Sequence, residues 1–344
     1  MSTSIHERPG VYSSYDISTV VSGSSGGQNV GLAALCTKGE EEKIYQLSRY
    51  EQAVEAFGAE ETLSQLARIL FLNGAAVVKA VPVADEESYA AAFARLEAEE
   101  DIAVVVCDSQ QLSVQQALRD SVCSASEARR ERIAVVPGAA GEDPEALVTR
   151  AEGLNSERVV LVAPLGGDGG AQVAAAVAGA IAGESDPAVP LGGAELRGVS
   201  GLAAAYTDDE LDVLIRGGVT PVEQSAGVLS VVRGVTTRTK SGEVPDQTWR
   251  ELTTIRIVDD VIPTVRNALR ARFRRAKNTE QSRGAIRSQV VLELEQKLAR
   301  EIITGYDGVT AQADPENPTV CLVDFSFTVA HGLNQIWLSA HITV

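Results

Sequence analysis

Between residues 75 and 182 one pattern recurs: a short unbroken apolar run, then an amphipathic stretch of eleven to eighteen residues. The runs include Val104-Val105-Val106 and Val159-Val160-Leu161-Val162, with no polar residue interleaved. A strand with one face in water alternates apolar and polar residues, whereas a strand covered on both faces reads as continuously apolar. Parallel strands also need a crossover of about a dozen residues, usually a helix. The expected fold is therefore α/β, with a mostly parallel, doubly wound sheet and helices on both faces.

Punctuation within the repeat sets the boundaries. Strands are expected over 30–37, 75–83, 102–108, 133–137 and 159–164. Helices are expected over 50–57, 60–72, 85–100, 113–130, 143–153 and 171–182, with Asp85 as a cap and Pro144 in a first turn. Residues 184–226 are rich in Gly and Pro and show one short helix, 208–215, before a strand over 228–239. Two longer helices follow. The first, 260–277, places Pro263 in its first turn and Ile262, Val265, Leu269 and Phe273 on one stripe. The second, 282–304, carries Ile286, Val290, Leu294, Leu298 and Ile302 at spacing four, with Gly305 as its stop.

The two ends differ from this body. Pro9-Gly10-Val11-Tyr12 opens an extended, weakly alternating segment to about residue 21, followed by Ser22-Gly23-Ser24-Ser25-Gly26-Gly27, a flexible linker by composition. Fully extended, residues 10–26 reach about 55 Å, at roughly 3.3 Å each. At the other end, Cys321, Val323, Phe325, Phe327 and Val329 alternate with polar residues. After Ala330-His331-Gly332-Leu333-Asn334 the alternation resumes with Ile336, Leu338, Ala340, Ile342 and Val344. Such strands carry backbone donors and acceptors that must pair within the chain or with a neighbour.

Composition narrows the function. The net charge of -17 argues against general nucleic-acid affinity. No run is long and apolar enough for a membrane span, and the first residues lack the apolar core of a signal peptide. Cys36, Cys107, Cys123 and Cys321 show no metal or redox spacing, and the three histidines form no zinc pattern. The cysteines read as small buried residues of a protein made in a reducing cytoplasm.

The search for chemistry leaves little. Leu165-Gly166-Gly167-Asp168-Gly169-Gly170 sits between a strand and a helix, where phosphate loops occur, but lacks both the Gly-Lys-Ser/Thr ending and the third dinucleotide glycine. A tight turn into a small-residue helix is the plainer reading. Gly23-Ser24-Ser25-Gly26-Gly27 fits G-x-S-x-G literally but leads into a strand rather than a helix. No catalytic constellation, cofactor site or metal site is expected. The one sharp charge feature is basic: residues 266–287 hold eight basic residues and one acidic, a local +7, leaving -24 on the rest. Arg266, Arg270 and Arg274 at spacing four, with Lys277 beyond, form a solvated helix face or a docking face for an acidic protein surface; a nucleic-acid contact is the least favoured reading, since aromatic interleaving is absent.

Several segments, in order, resemble the tail sheath proteins of contractile-tailed phages and phage-tail-like bacteriocins. They are Arg8-Pro9-Gly10-Val11-Tyr12, the Ala-Gly stretch Val177-Ala178-Gly179-Ala180-Ile181-Ala182, and Ala188-Val189-Pro190-Leu191-Gly192-Gly193 with Leu196-Arg197-Gly198-Val199. Ser230-Val231-Val232-Arg233-Gly234-Val235-Thr236-Thr237 follows, and then the helix pair with the closing strand. The resemblance covers nearly the whole chain. It implies a structural protein, not an enzyme, forming stacked hexameric rings around a tail tube and contracting when a baseplate is triggered. The implied partners are further copies of itself, the tube protein, and baseplate and tail terminator proteins, with neither nucleic acid nor membrane. The implied location is a virion tail or tail-like particle assembled in the host cytoplasm.

On this reading the chain divides into an arm and linker (1–27), an α/β body (28–245), a helical, tube-facing part of an α+β C-terminal domain (246–318) and a C-terminal strand arm (319–344). Strands exchanged between subunits would use Val11, Tyr12, Tyr15, Ile17, Phe325, Phe327, Ile336, Leu338 and Ile342. Arg266, Arg270, Arg274 and Lys277 would face the tube. The alternative is a soluble α/β enzyme or nucleotide-binding protein whose terminal strands pair within its own sheet.

Overall fold

A computed structural model describes residues 27–334. The chain begins with β1 (Asn29–Leu35), β2 (Tyr45–Leu47), α1 (Tyr50–Phe57), α2 (Thr62–Leu72) and β3 (Val78–Val83). It continues through α3 (Tyr89–Ala98), β4 (Ile102–Cys107), α4 (Leu112–Glu127), β5 (Ile133–Pro137), α5 (Pro144–Leu154), β6 (Val159–Ala163) and α6 (Gln172–Gly183). Then come β7 (Glu195–Leu196), α7 (Asp208–Arg216), β8 (Val219–Ser225), β9 (Val228–Val231), β10 (Lys240–Ser241) and β11 (Val244–Pro245). The last elements are α8 (Leu252–Phe273), α9 (Glu280–Ala299), β12 (Ile303–Ala313) and β13 (Cys321–Val329).

Nine strands form one sheet in the order β2-β3-β1-β4-β5-β6-β8-β9-β7. Its centre, from β3 to β8, is parallel throughout; β2, β9 and β7 add antiparallel edges. Successive residues of the apolar runs face opposite sides, as strand geometry requires. Val104, Val106, Val160 and Val162 enter the core under α1, α2 and α6, whereas Val105, Leu161 and Ala163 enter the core under α3, α4 and α5. The doubly wound reading is correct. Helix boundaries follow local chemistry: Asp143 caps α5 by accepting from the Ala146 N–H at 2.8 Å, with Pro144 at the first helical position.

The Ala/Gly composition of α6 has a packing cause. A Cβ on Gly179 would stand 2.8 Å from the Leu70 carbonyl oxygen and 2.7 Å from Asn73 Cβ. Only glycine lets α6 approach α2 this closely.

A third core lies apart from the sheet. Ile257, Val261 and Val265 of α8, Val290 and Leu294 of α9, and Ile302 and Ile303 are buried together. A two-stranded ribbon, β12 with β13, covers them with Tyr306, Val309, Val323, Phe325 and Phe327. Leu252 and Ile255, in the first turns of α8, instead belong to the core of the sheet. One helix therefore joins both units.

Four expectations are corrected here. The first long helix begins at Leu252 rather than 260, so Pro263 lies inside it. An interior proline has no N–H to donate and costs about 3 kcal/mol; burial of Leu252, Ile255 and Ile257 secures the turns before it. Its buried stripe is Ile257, Val261, Val265 and Leu269, displacing Ile262 and Phe273. Gly305 does not stop the second helix, which ends at Ala299; it lies within β12. The expected strand 228–239 ends at Val231, and β8 occupies part of the Gly/Pro-rich stretch read as irregular.

Candidate assembly surfaces

The C-terminal ribbon is the first surface. β12 and β13 pair antiparallel from Ile303 opposite Val329 to Ala313 opposite Cys321. The alternation seen in the sequence fixes its faces. Val323, Phe325, Phe327 and Val329 lean on α8 and α9, with the rings of Phe325 and Phe327 stacked at 6.3 Å. Leu322, Asp324, Ser326 and Thr328 face outward. Among the described residues each strand pairs only with the other, so both long edges remain open. An open edge is a template for a further strand.

Phe325 and Phe327, expected in the strand arm, lie in β13, which pairs with β12 of the same chain. Their apolar face needs the α8–α9 core, which holds that half of the C-terminal segment at home. Val11, Tyr12, Tyr15, Ile17, Ile336, Leu338 and Ile342 lie outside the described residues.

The basic cluster separates into two groups. Arg266 is half-buried and forms an ion pair with Glu131 in the loop before β5. Burial alone would raise the Glu131 carboxyl, but the Arg266 guanidinium outweighs it and holds the group below the usual glutamate range. Arg266 therefore fastens α8 to the body through Glu131. Arg270, Arg274 and Lys277 are exposed, Arg270 in the last turn of α8, Arg274 at its C-cap and Lys277 in the connection to α9. Cations there complement the negative end of the helix dipole. Arg272 turns aside to donate to Gln289.

A second fastening of α8 was not legible in sequence. Arg158, at the foot of β6, makes a two-pronged pair with Asp259 at 2.8 and 3.0 Å. Arg256 is buried and donates to the Glu184 carbonyl at 2.8 Å. Lys297 of α9 reaches Asp260 at 2.6 Å. Arginines and aspartates 101 residues apart give no periodic signal of such pairing.

The glycine-rich turn after β6 closes on itself. Gly169 N–H donates to the Gly166 carbonyl at 2.7 Å, Gly167 N–H to the Gly201 carbonyl at 2.9 Å, and Gly170 N–H to the Asp168 carboxylate at 3.1 Å. Its amides are committed within the protein, and Asp168 occupies the place an anion would take. Among the described residues no group of three His, Cys, Asp or Glu side chains is placed to hold a metal, and no helix is long and apolar enough to cross a membrane.

Residues 83–237 match the phage tail sheath protein central domain, and residues 244–343 match the phage tail sheath C-terminal domain. The chain belongs to the phage tail sheath protein family. Its members are structural proteins rather than enzymes. The tail sheath protein of Bacillus phage SP01 is 28% identical over 255 residues, which cover 70% of this chain and 43% of that protein. The chain thus spans less than half the length of that curated relative.

Solved sheath structures share the fold. The anti-feeding prophage helical sheath in its contracted state aligns with a TM-score of 0.72 at 17% identity, covering 98% of this chain and 99% of that one. The sheath tail protein of Listeria innocua aligns at 0.72 and 14% identity, covering 90% and 93%. That of Desulfitobacterium hafniense aligns at 0.69 and 12% identity, covering 93% and 100%.

Proposed function

We propose that this sheath-family chain is the repeating subunit of a contractile tail sheath. It polymerises as stacked hexameric rings around a tail tube and contracts to drive the tube through a cell envelope. The observation that carries this reading is the ribbon: two strands packed on α8 and α9 whose outer edges pair with no other strand among the described residues. Strands from neighbouring copies, carrying Val11, Tyr12, Tyr15 and Ile17 at one end and Ile336, Leu338 and Ile342 at the other, add to those edges. Each main-chain hydrogen bond contributes about 0.5–1.5 kcal/mol net, so a strand of roughly six residues supplies several kcal/mol. The Ser/Gly linker at 22–27 lets bodies turn while strands stay paired.

Arg270, Arg274 and Lys277 face the tube protein in this arrangement; Arg266 is engaged with Glu131 and does not. Baseplate and terminator proteins bound the stack, and the particle is a phage tail or tail-like device built in the host cytoplasm. The test is truncation. Removing residues 1–22, or everything from Gln335, leaves a folded monomer that sediments at subunit mass and no longer polymerises. Long sheaths from either truncated chain refute arm exchange.

A further inference from the structure

One face of α7 borders a hollow of about 400 Å³. Leu211 and Ile215 of this helix, with Val232 opposite, give it an apolar wall. Its polar lining is dominated by three arginines, Arg216, Arg233 and Arg250. A backbone bridge between Val235 and Glu251 brings two of them together, with Thr236 N–H donating to the Arg250 carbonyl at 2.9 Å.

The three are not equally occupied. Arg216 pairs with Asp212 at 2.9 Å on the exposed rim, and Arg233 pairs with Glu251. Arg250 enters none of the ion pairs among the described residues, and the Nε atoms of both Arg233 and Arg250 are buried without a hydrogen-bond partner. Burial first, and then the like charge of Arg233, lower the Arg250 pKa, with the Glu251 carboxylate opposing them and Arg216 adding a smaller push. A half-buried guanidinium beside two others, with unspent donors, is costly unless an anion completes the site.

The lining also selects among anions. Asp212 and Glu251 already pair with Arg216 and Arg233, so Arg250, with Asp208 also in the lining, is the one guanidinium of the three without an ion-pair partner among the described residues. That suits a monoanion better than a phosphate group. The apolar wall suits the methylenes of an aliphatic carboxylate.

We propose that this hollow is a carboxylate-binding site, filled in the assembled protein by an acidic side chain from a second copy of this chain. The choice of a second copy rests on the self-assembly reading above and on composition: with 47 acidic against 30 basic residues, each copy offers surplus carboxylates to its neighbours.

The experiment uses the full chain and two readouts. In the first, butyrate is titrated against chloride at constant ionic strength while the thermal midpoint is followed, for wild type, Arg250→Met, Arg250→Lys and the distant control Arg287→Met. The expected result is a saturable rise for wild type and Arg287→Met, a reduced rise for Arg250→Lys and none for Arg250→Met. Without butyrate, Arg250→Met melts no lower than wild type, because removing it relieves like-charge repulsion; a merely structural arginine would give a fall. Equal butyrate responses in wild type and Arg250→Met overturn the site. The second readout is the lowest protein concentration that gives assembly, expected to rise at least tenfold for Arg250→Met. A lost butyrate response with unchanged assembly overturns the second copy as occupant. Failure of wild type itself to assemble counts against the sheath reading and that occupant together, while the butyrate titration still judges the site.

Discussion

Asp259→Ala tests how the ribbon-bearing unit is fixed to the body. Asp259 accepts two hydrogen bonds from Arg158, at 2.8 and 3.0 Å, and neither side chain is more than 15% exposed. Burial pushes the Asp259 carboxyl up despite its partner, so the pair stands in a poorly solvated place. Without the carboxylate, Arg158 keeps only the Arg132 carbonyl, at 3.1 Å. Breaking such a pair costs about 3–5 kcal/mol, because a charge stays buried without compensation, whereas replacing both partners with apolar residues of similar volume is close to neutral. Asp259→Ala should therefore lose about 3–5 kcal/mol and Arg158→Met/Asp259→Leu much less than that.

The loss should also be local, since the core around Val261 and Leu294 is separate from both sheet cores. A chain with three cores need not unfold in one step, so the assay is native-state hydrogen exchange rather than a single melting curve. Amides of α8 and the ribbon should exchange faster in Asp259→Ala, while those of β4, β5 and β6 keep their protection. A single variant within about 0.5 kcal/mol of wild type, or a double variant as damaged as the single, refutes the argument.

Two further predictions follow from charge. Reversing Arg270, Arg274 and Lys277 to Glu should abolish co-sedimentation with tube protein yet leave self-assembly intact; Arg266→Glu should lower stability instead, since it breaks the pair with Glu131. The Glu131 and Glu142 carboxyls are held below the ordinary glutamate value of 4.5 in the folded chain, burial being outweighed by Arg266 and Arg150. Their contribution is complete above that value and is lost as pH falls through the lowered folded values. Asp108 and Asp259, raised by burial, act oppositely, costing stability as pH rises through their folded values. Acid titration of stability should therefore show a shallower loss for Glu142→Gln than for wild type.

The sheet was legible because its strands are buried on both faces and its helices are amphipathic. The strand 133–137 and the helix 50–57 fall where hydrophobic pattern alone places them. β8 was hidden by its surroundings: Pro221 and a Gly-rich neighbourhood read as loop, yet it pairs with β6 and β9. β12 was missed because Gly305 and Gly308 interrupt its alternation where the register shifts against β13. The basic residues were found as a cluster, but their roles were not separable by spacing. Arg266 and Arg270 sit one turn apart, and only the fold brings Glu131 to one and solvent to the other. The hollow around Arg250 gave no sequence signal, since α7 and the Val232–Arg233 and Arg250 segments meet only in three dimensions.

The most direct test is electron microscopy of the purified full-length chain at high concentration. The account predicts hollow, striated tubes with six subunits per ring and, at higher resolution, strands from neighbouring copies paired to the outer edges of β12 and β13. Dispersed monomers, or tubes in which both ribbon edges stay bare, would contradict it.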